Sequence, residues 1–319
     1  MQTIANPWLW GGFVVVVIAA LLADLVLMRH GGPHKVTFKE AVWWSLGWVA
    51  LALAFNGGLW WYLREAMDIA SANRIGLEFL TGYLVEKSLA VDNIFVFLMV
   101  MSYFAVPEEQ RQRVLVIGVL GAIVLRAIMI FAGAALLNQF HWLLYVFGAF
   151  LLFTGIKMWF SAGSEPDLET NPALKFMRKH LRLTDGYEGN ALSVVRDGRR
   201  WFTPMFAVLI LIAVTDVIFA VDSIPAIFAI TTDPFIVLTS NVFAVLGLRA
   251  MFFLLAGMAD RFHLLPYGLA VILVYIGTKM LVIDLVKIPV LVSLGVVFGI
   301  LAITVWLSLA RPPKPEVEG

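Results

Sequence analysis

The chain has 319 residues, 61% hydrophobic and only 14% charged, with a mean hydropathy of +0.90 and a formal net charge of +1. Soluble domains lie nearer 45–50% apolar and about 25% charged, so this composition excludes an ordinary water-soluble enzyme. The near-neutral balance offers nothing to nucleic acid. The absence of cysteine excludes disulfides, thiol redox chemistry, iron–sulfur clusters and Cys-type zinc sites within the chain.

Apolar runs of 18 or more residues recur along the length, which predicts an all-α polytopic membrane bundle. A β-barrel would show period-2 alternation in segments of about ten residues, and none is present. Nine spans are predicted at about 8–28, 41–63, 78–103, 114–138, 142–160, 204–230, 235–258, 265–284 and 288–310. The opening MQTIANPWLW has no Lys or Arg ahead of its apolar run, so it is expected to be a retained span rather than a cleaved leader. If the N-terminus is outside, the inner segments hold fifteen Lys and Arg and the outer ones hold three, Arg64, Arg74 and Lys287. That bias predicts an N-terminus out and a C-terminus in. The segment 161–203 is the one long polar loop. It is expected on the inner side as a solvated linker, with a short helix near residues 171–183.

The third span contains EKSLAVDNIFVF and the sixth TDVIFAVDSIPAIFA. Each places two carboxylates six residues apart in an apolar run, Glu86 with Asp92 and Asp216 with Asp222, and both pairs are offset by 130 positions. A carboxylate at a span centre costs roughly 2.5–3.5 kcal/mol on insertion scales, so four of them need a reason. The repetition continues. RAIMIFAGAALLNQFHW and RAMFFLLAGMADRFHL align Arg126 with Arg249, and LLYVFGAFLLFTGIKM aligns with LLPYGLAVILVYIGTKM at an offset of 122. Each unit has an odd number of spans, so the second is expected to lie inverted relative to the first. Inverted repeats of this kind build midplane sites in many secondary transporters. The domain order is then two N-terminal spans (1–76), a first three-span repeat (77–160), a cytoplasmic loop (161–203), a second repeat (204–285), and a ninth span with its tail (286–319).

Asn93 follows Asp92 and Ser223 follows Asp222, and both can donate oxygen to a cation. Asn241 in the seventh span could close the shell. Such hard-oxygen ligands suit Mg²⁺, Ca²⁺ or Mn²⁺ better than Zn²⁺ or Cu⁺. Two acids six residues apart on a regular helix point about 120° apart. Pro225 is therefore expected to break the second helix and free a carbonyl beside Asp222. Lys87, Arg126 and Arg249 are the candidate charge-balancing partners. The competing reading is that the acids are held only in structural ion pairs. Counting these central groups leaves a negative excess, to be met by a cation, a proton or water.

EKSLAVDN, VDSIPAIFAITTDPF and GLRAMFFLLAG resemble the TerC family of integral membrane proteins, and the likeness runs over essentially the whole chain. WLWGGF and NPALKFMRKHLRLTDG are similar to its alkali-inducible bacterial branch. The resemblance implies an inner-membrane, non-enzymatic exporter of manganese(II). Its acidic motif positions fall on Glu86, Asp92, Asn93, Asp216 and Asp222. Mn²⁺ would be a transported ion rather than a bound cofactor, protons its coupling partner, the bilayer its surroundings, and a homo-oligomer stays open. The alternatives that the resemblance carries are a membrane-bound redox modulator and a tellurite-resistance component.

Overall fold

The computed structural model describes residues 3–30, 37–140, 142–161, 172–189, 191–196, 198–256, 263–286 and 288–310. Over these residues the chain forms α1 (Pro7–His30), α2 (Phe38–Ala66), α3 (Ile69–Tyr103), α4 (Glu108–Gln139), α5 (Leu143–Ser161) and α6 (Pro172–His180). A hairpin of β1 (Ser193–Arg196) and β2 (Arg199–Phe202) follows. Then come α7 (Pro204–Phe228), α8 (Pro234–Leu246), α9 (Leu248–Ala256), α10 (Leu265–Leu281) and α11 (Val290–Ala310).

Local chemistry sets the helix starts. Thr37 and Glu40 form a reciprocal capping box on α2, and Asp68 accepts from the Ser71 N–H at 2.8 Å to start α3. Asp233 caps α8 ahead of Pro234, which needs no N–H partner at the first helical position. Asp233 also ties down the N-terminal segment, accepting from the Thr3 hydroxyl at 2.9 Å and the Ile4 N–H at 2.7 Å.

Six helices are long and apolar enough to cross a membrane: α1 (over Pro7–Asp24), α2, α4, α5, α7 and α11. The pair α8 and α9, bent by 40° at Gly247, makes a seventh if counted as one span. The nine predicted spans are met in part. At 17 residues, α10 reaches about 25 Å, short of a hydrocarbon core about 30 Å thick. Although 35 residues long, α3 carries Arg74, Glu78, Glu86, Lys87 and Asp92. It tolerates them because protein covers it: α2, α7, α8 and α11 all pack on it. By contrast, α1 and α11 present Val15, Ile18, Leu22, Leu291, Phe298 and Trp306 outward, as lipid-facing helices do.

Two features of the packing position the site. First, α4 packs chiefly on α7 and α8, while α8 packs on α3 and α4. Second, α5 and α10 cross with almost no side chain between them. Gly148 lies against the Gly277 carbonyl and Gly155 against the Ala270 carbonyl, so the two helices run antiparallel. A Cβ on Gly277 would stand 2.7 Å from the Gly148 oxygen and the Leu152 nitrogen, both backbone. Gly277→Ala is accordingly expected to destabilise the fold by about 1–3 kcal/mol, read as a lowered melting temperature in detergent.

The segment 161–203 is not the solvated linker expected from its polarity. Over its described residues it folds against the bundle. Leu174 and Met177 of α6 are buried with Met205 and Val208 of α7, and the Tyr187 hydroxyl donates to the Phe104 carbonyl at 2.8 Å. Gln110 of α4 donates to the Gly189 carbonyl at 3.0 Å. Alternating Lys and apolar residues hid this, because α6 is amphipathic and shows only its polar face. Burial pushes the Tyr187 hydroxyl from its ordinary value of 10.0 up to about 12. The stability this group contributes is complete below pH 10 and is lost as pH rises through about 12. Tyr187→Phe is therefore expected to flatten the alkaline limb of the unfolding curve, measured as melting temperature from pH 9 to 12.

Candidate cation site

The repeated motifs lie on α3 and α7. Seven residues make almost two full turns of helix, so positions seven apart share a face. Glu86 and Asn93 therefore point the same way from α3, and Asp216 and Ser223 the same way from α7. The two faces meet, and the guanidinium of Arg126 from α4 sits between them.

Arg126 is the largest fully buried side chain among the described residues, only 1% exposed. It forks onto Asp216, with Nη2 to Oδ1 at 2.9 Å and Nε to Oδ2 at 3.3 Å. Its Nη1 donates to Glu86 Oε1, and also to Asn241 Oδ1 at 3.1 Å. Asn241 Nδ2 completes the ring by donating to Glu86 Oε2 at 3.0 Å. Asn93, with its amide oxygen turned toward Arg126, accepts from Nη2 at 3.2 Å and donates to the Leu89 carbonyl at 3.3 Å. One acid from each repeat thus shares a single arginine in a bidentate, charge-assisted network.

Beside this network lies a small cavity of about 10 Å³, room for about one water. Glu86, Asn93, Arg126, Asp222 and Ser223 line it, together with Phe219, Leu89, Met158 and Leu273. Asp222 faces Thr154 and, further off, Lys157 of α5. The Ser223 hydroxyl is buried and has no hydrogen-bond partner among the described residues. An unpartnered buried hydroxyl beside a polar cavity is the usual mark of a missing guest, water or ion. With Glu86, Asp216 and Asp222 ionised against Arg126, the described groups leave a net negative charge. Among the described residues no three Asp, Glu or His side chains stand close enough together to hold a metal ion. The site is closed around its own arginine.

Most of the residues singled out from the sequence converge here: Glu86, Asn93, Asp216, Asp222, Ser223, Asn241 and Arg126. Asp92 lies on α3, but its side chain falls outside the described residues. Three expectations need correction. Lys87 does not balance the acids: one position on from Glu86, it turns away by about 100° and donates to the Ala244 carbonyl at 3.2 Å. Arg249 does not reach them either, and pairs instead with Asp24 of α1. Pro225 does not break α7, which continues to Phe228; the proline sits in the last turn and leaves only the Val221 carbonyl without its usual donor. Asp24 was missed altogether. Its signal was plain, an acid within the first apolar run, LLADLVL, where a partner is always needed.

The description "Integral membrane protein TerC family" matches residues 71–315. The chain belongs to the TerC family. The match covers α3 onward, and with it every residue of the arginine network, while α1 and most of α2 lie outside it. Similar proteins include one from Salmonella typhi, 57% identical over the full length of both chains, and one from Escherichia coli K12, 59% identical over 95% of each. Both carry the name membrane-bound redox modulator Alx. A membrane protein of Myxococcus xanthus is 48% identical over 97% of this chain and 94% of its own. No solved structure matches the chain. As a TerC protein with several apolar helices, the chain is a multi-pass integral membrane protein.

Proposed function

We propose that this TerC protein is a secondary transporter, not an enzyme, which exports divalent manganese across the bacterial inner membrane in exchange for protons. The observation that carries the reading is the meeting of Glu86 and Asp216, one from each repeated motif, at a cavity that Asp222 and the unpartnered Ser223 hydroxyl also line. All the ligand atoms offered are hard oxygens, which suits Mn²⁺ and excludes a soft-metal preference. Carboxylates hold a divalent ion when ionised and release it when protonated, so the same groups couple cation and proton movement.

The reading takes the two halves as inverted three-span repeats. The α5–α10 crossing supports this. At the offset of 122, Gly148 corresponds to Ala270 and Gly155 to Gly277, so the contacts Gly148–Gly277 and Gly155–Ala270 exchange with each other. That is the behaviour of residues about a two-fold axis. It also takes α3 and α10 as spans eight and nine, with the N-terminus periplasmic and the cap formed by residues 172–203 cytoplasmic. The cavity admits only about one water, so this geometry corresponds to a closed state in which Arg126 stands where the cargo would bind. The test is Mn²⁺ flux in vesicles with and without a pH gradient; flux indifferent to the gradient removes proton exchange.

The names of the Salmonella and Escherichia relatives favour a second reading, modulation of redox state in the membrane. With no cysteine, this chain would need a bound electron carrier. Purified protein showing a visible absorption band that responds to reductant would favour it over export.

A further inference from the structure

Arg126 and Arg249 hold corresponding places in the repeated stretches RAIMIFAGA and RAMFFLLAG, yet they are used differently. Arg126 is seated between Glu86 and Asp216. Arg249 is turned away and ion-paired with Asp24, each side chain 12% exposed. The difference has a visible origin. Helix α4 runs unbroken through Arg126, while the corresponding span breaks at Gly247, two residues before Arg249, and bends by 40°. Asp24 belongs to neither repeat and lies outside the residues matched to the family. An acid from outside the repeats thus holds the second arginine away from the centre.

A transporter that has released its cation is left with desolvated carboxylates. Such groups are strongly disfavoured unless another positive charge takes the ion's place. A tethered guanidinium can do so, and the bundle contains two, one seated and one parked.

We propose that Arg126 and Arg249 alternate as the positive occupant of the Glu86–Asp216 pair, with Asp24 as the acid that parks Arg249 while Arg126 is seated. This rests on the cation-transport reading and adds to it a reason for α1. When Arg126 leaves the acids, Arg249 leaves Asp24, and α9 swings about Gly247 toward the arrangement that α4 now has. Lys87 already donates to the Ala244 carbonyl, three residues before the break, so the end of α8 remains satisfied during the movement. Asp24 and Arg126 are positioning residues in this scheme, and neither need be a ligand of the cargo.

The chain's lack of cysteine makes the test direct. Spin labels at Leu22→Cys on α1 and Ala256→Cys on α9, both exposed positions, report the separation of the two helices in metal-free full-length protein in lipid nanodiscs. The parent is expected to show one main distance. Arg126→Gln empties the carboxylate pair and is expected to draw Arg249 in, shifting most of the population by roughly one helical turn, about 5 Å. Arg126→Gln/Glu86→Gln/Asp216→Asn removes the attraction and is expected to restore the parent distance. Should Arg126→Gln fail to fold, Asp24→Asn releases Arg249 from the other end and is expected to give the same shift. The parent distance persisting in both Arg126→Gln and Asp24→Asn would overturn the exchange. Manganese flux of the parent is read separately: a shifted distance without flux defeats manganese export and leaves the exchange standing, and flux with an unmoved distance does the reverse.

Discussion

Arg126→Gln is expected to destabilise the folded protein by about 3–5 kcal/mol, because it leaves two buried carboxylates without their shared counter-charge. Glu86 is 0% exposed and Asp216 1%, so water cannot screen the loss. Asn241 and Asn93 supply amide groups but no charge. The fall corresponds to a drop in melting temperature of about 10 °C or more in detergent. The companion variant Arg126→Gln/Glu86→Gln/Asp216→Asn neutralises the whole group and is expected to recover most of that stability, since replacing a complete buried ionic set costs far less than removing one member. A single variant as stable as the parent would mean that the network carries no structural weight.

Asp222→Asn is expected to do the opposite, leaving stability nearly unchanged while reducing manganese flux by roughly 10–100-fold or more, in line with losses seen around metal sites. Asp222 is only half-buried, faces the cavity, and its oxygen meets Thr154, a contact an amide can keep. It has no arginine of its own. Of the described acids at the centre it is the one with charge to offer a guest while Arg126 stays on Glu86 and Asp216. The contrast between the two variants separates groups that hold the bundle from a group that meets the ion, and is read by measuring melting temperature and flux on the same preparations.

Much of this was legible from residue order alone. Apolar runs revealed a helical membrane protein, and the repeated acidic motifs picked out α3 and α7 as the pair that meets. The helical period, applied one residue further, would have picked the facing positions better: Glu86 with Asn93 and Asp216 with Ser223 share faces, whereas six-residue partners do not. What the order of residues could not disclose was which cation goes with which acid. Three positive side chains stood near the motifs, and only the crossing of α4 over α3 and α7 sends Arg126 to the centre while the bend at Gly247 sends Arg249 to Asp24. The fold of residues 172–203 was hidden for a different reason. Its buried side chains are few and its stability comes from tertiary contacts such as Tyr187 on Phe104, which local composition does not encode.

The most direct measurement is manganese flux in proteoliposomes carrying the parent protein, Asp222→Asn or no protein, each with and without an imposed proton gradient. Saturable Mn²⁺ movement by the parent, quickened by the gradient and lost in Asp222→Asn, is the expected result. Parent vesicles that move Mn²⁺ no faster than empty ones, or a variant that moves it as fast as the parent, would contradict the idea that these buried acids carry a metal ion through the membrane.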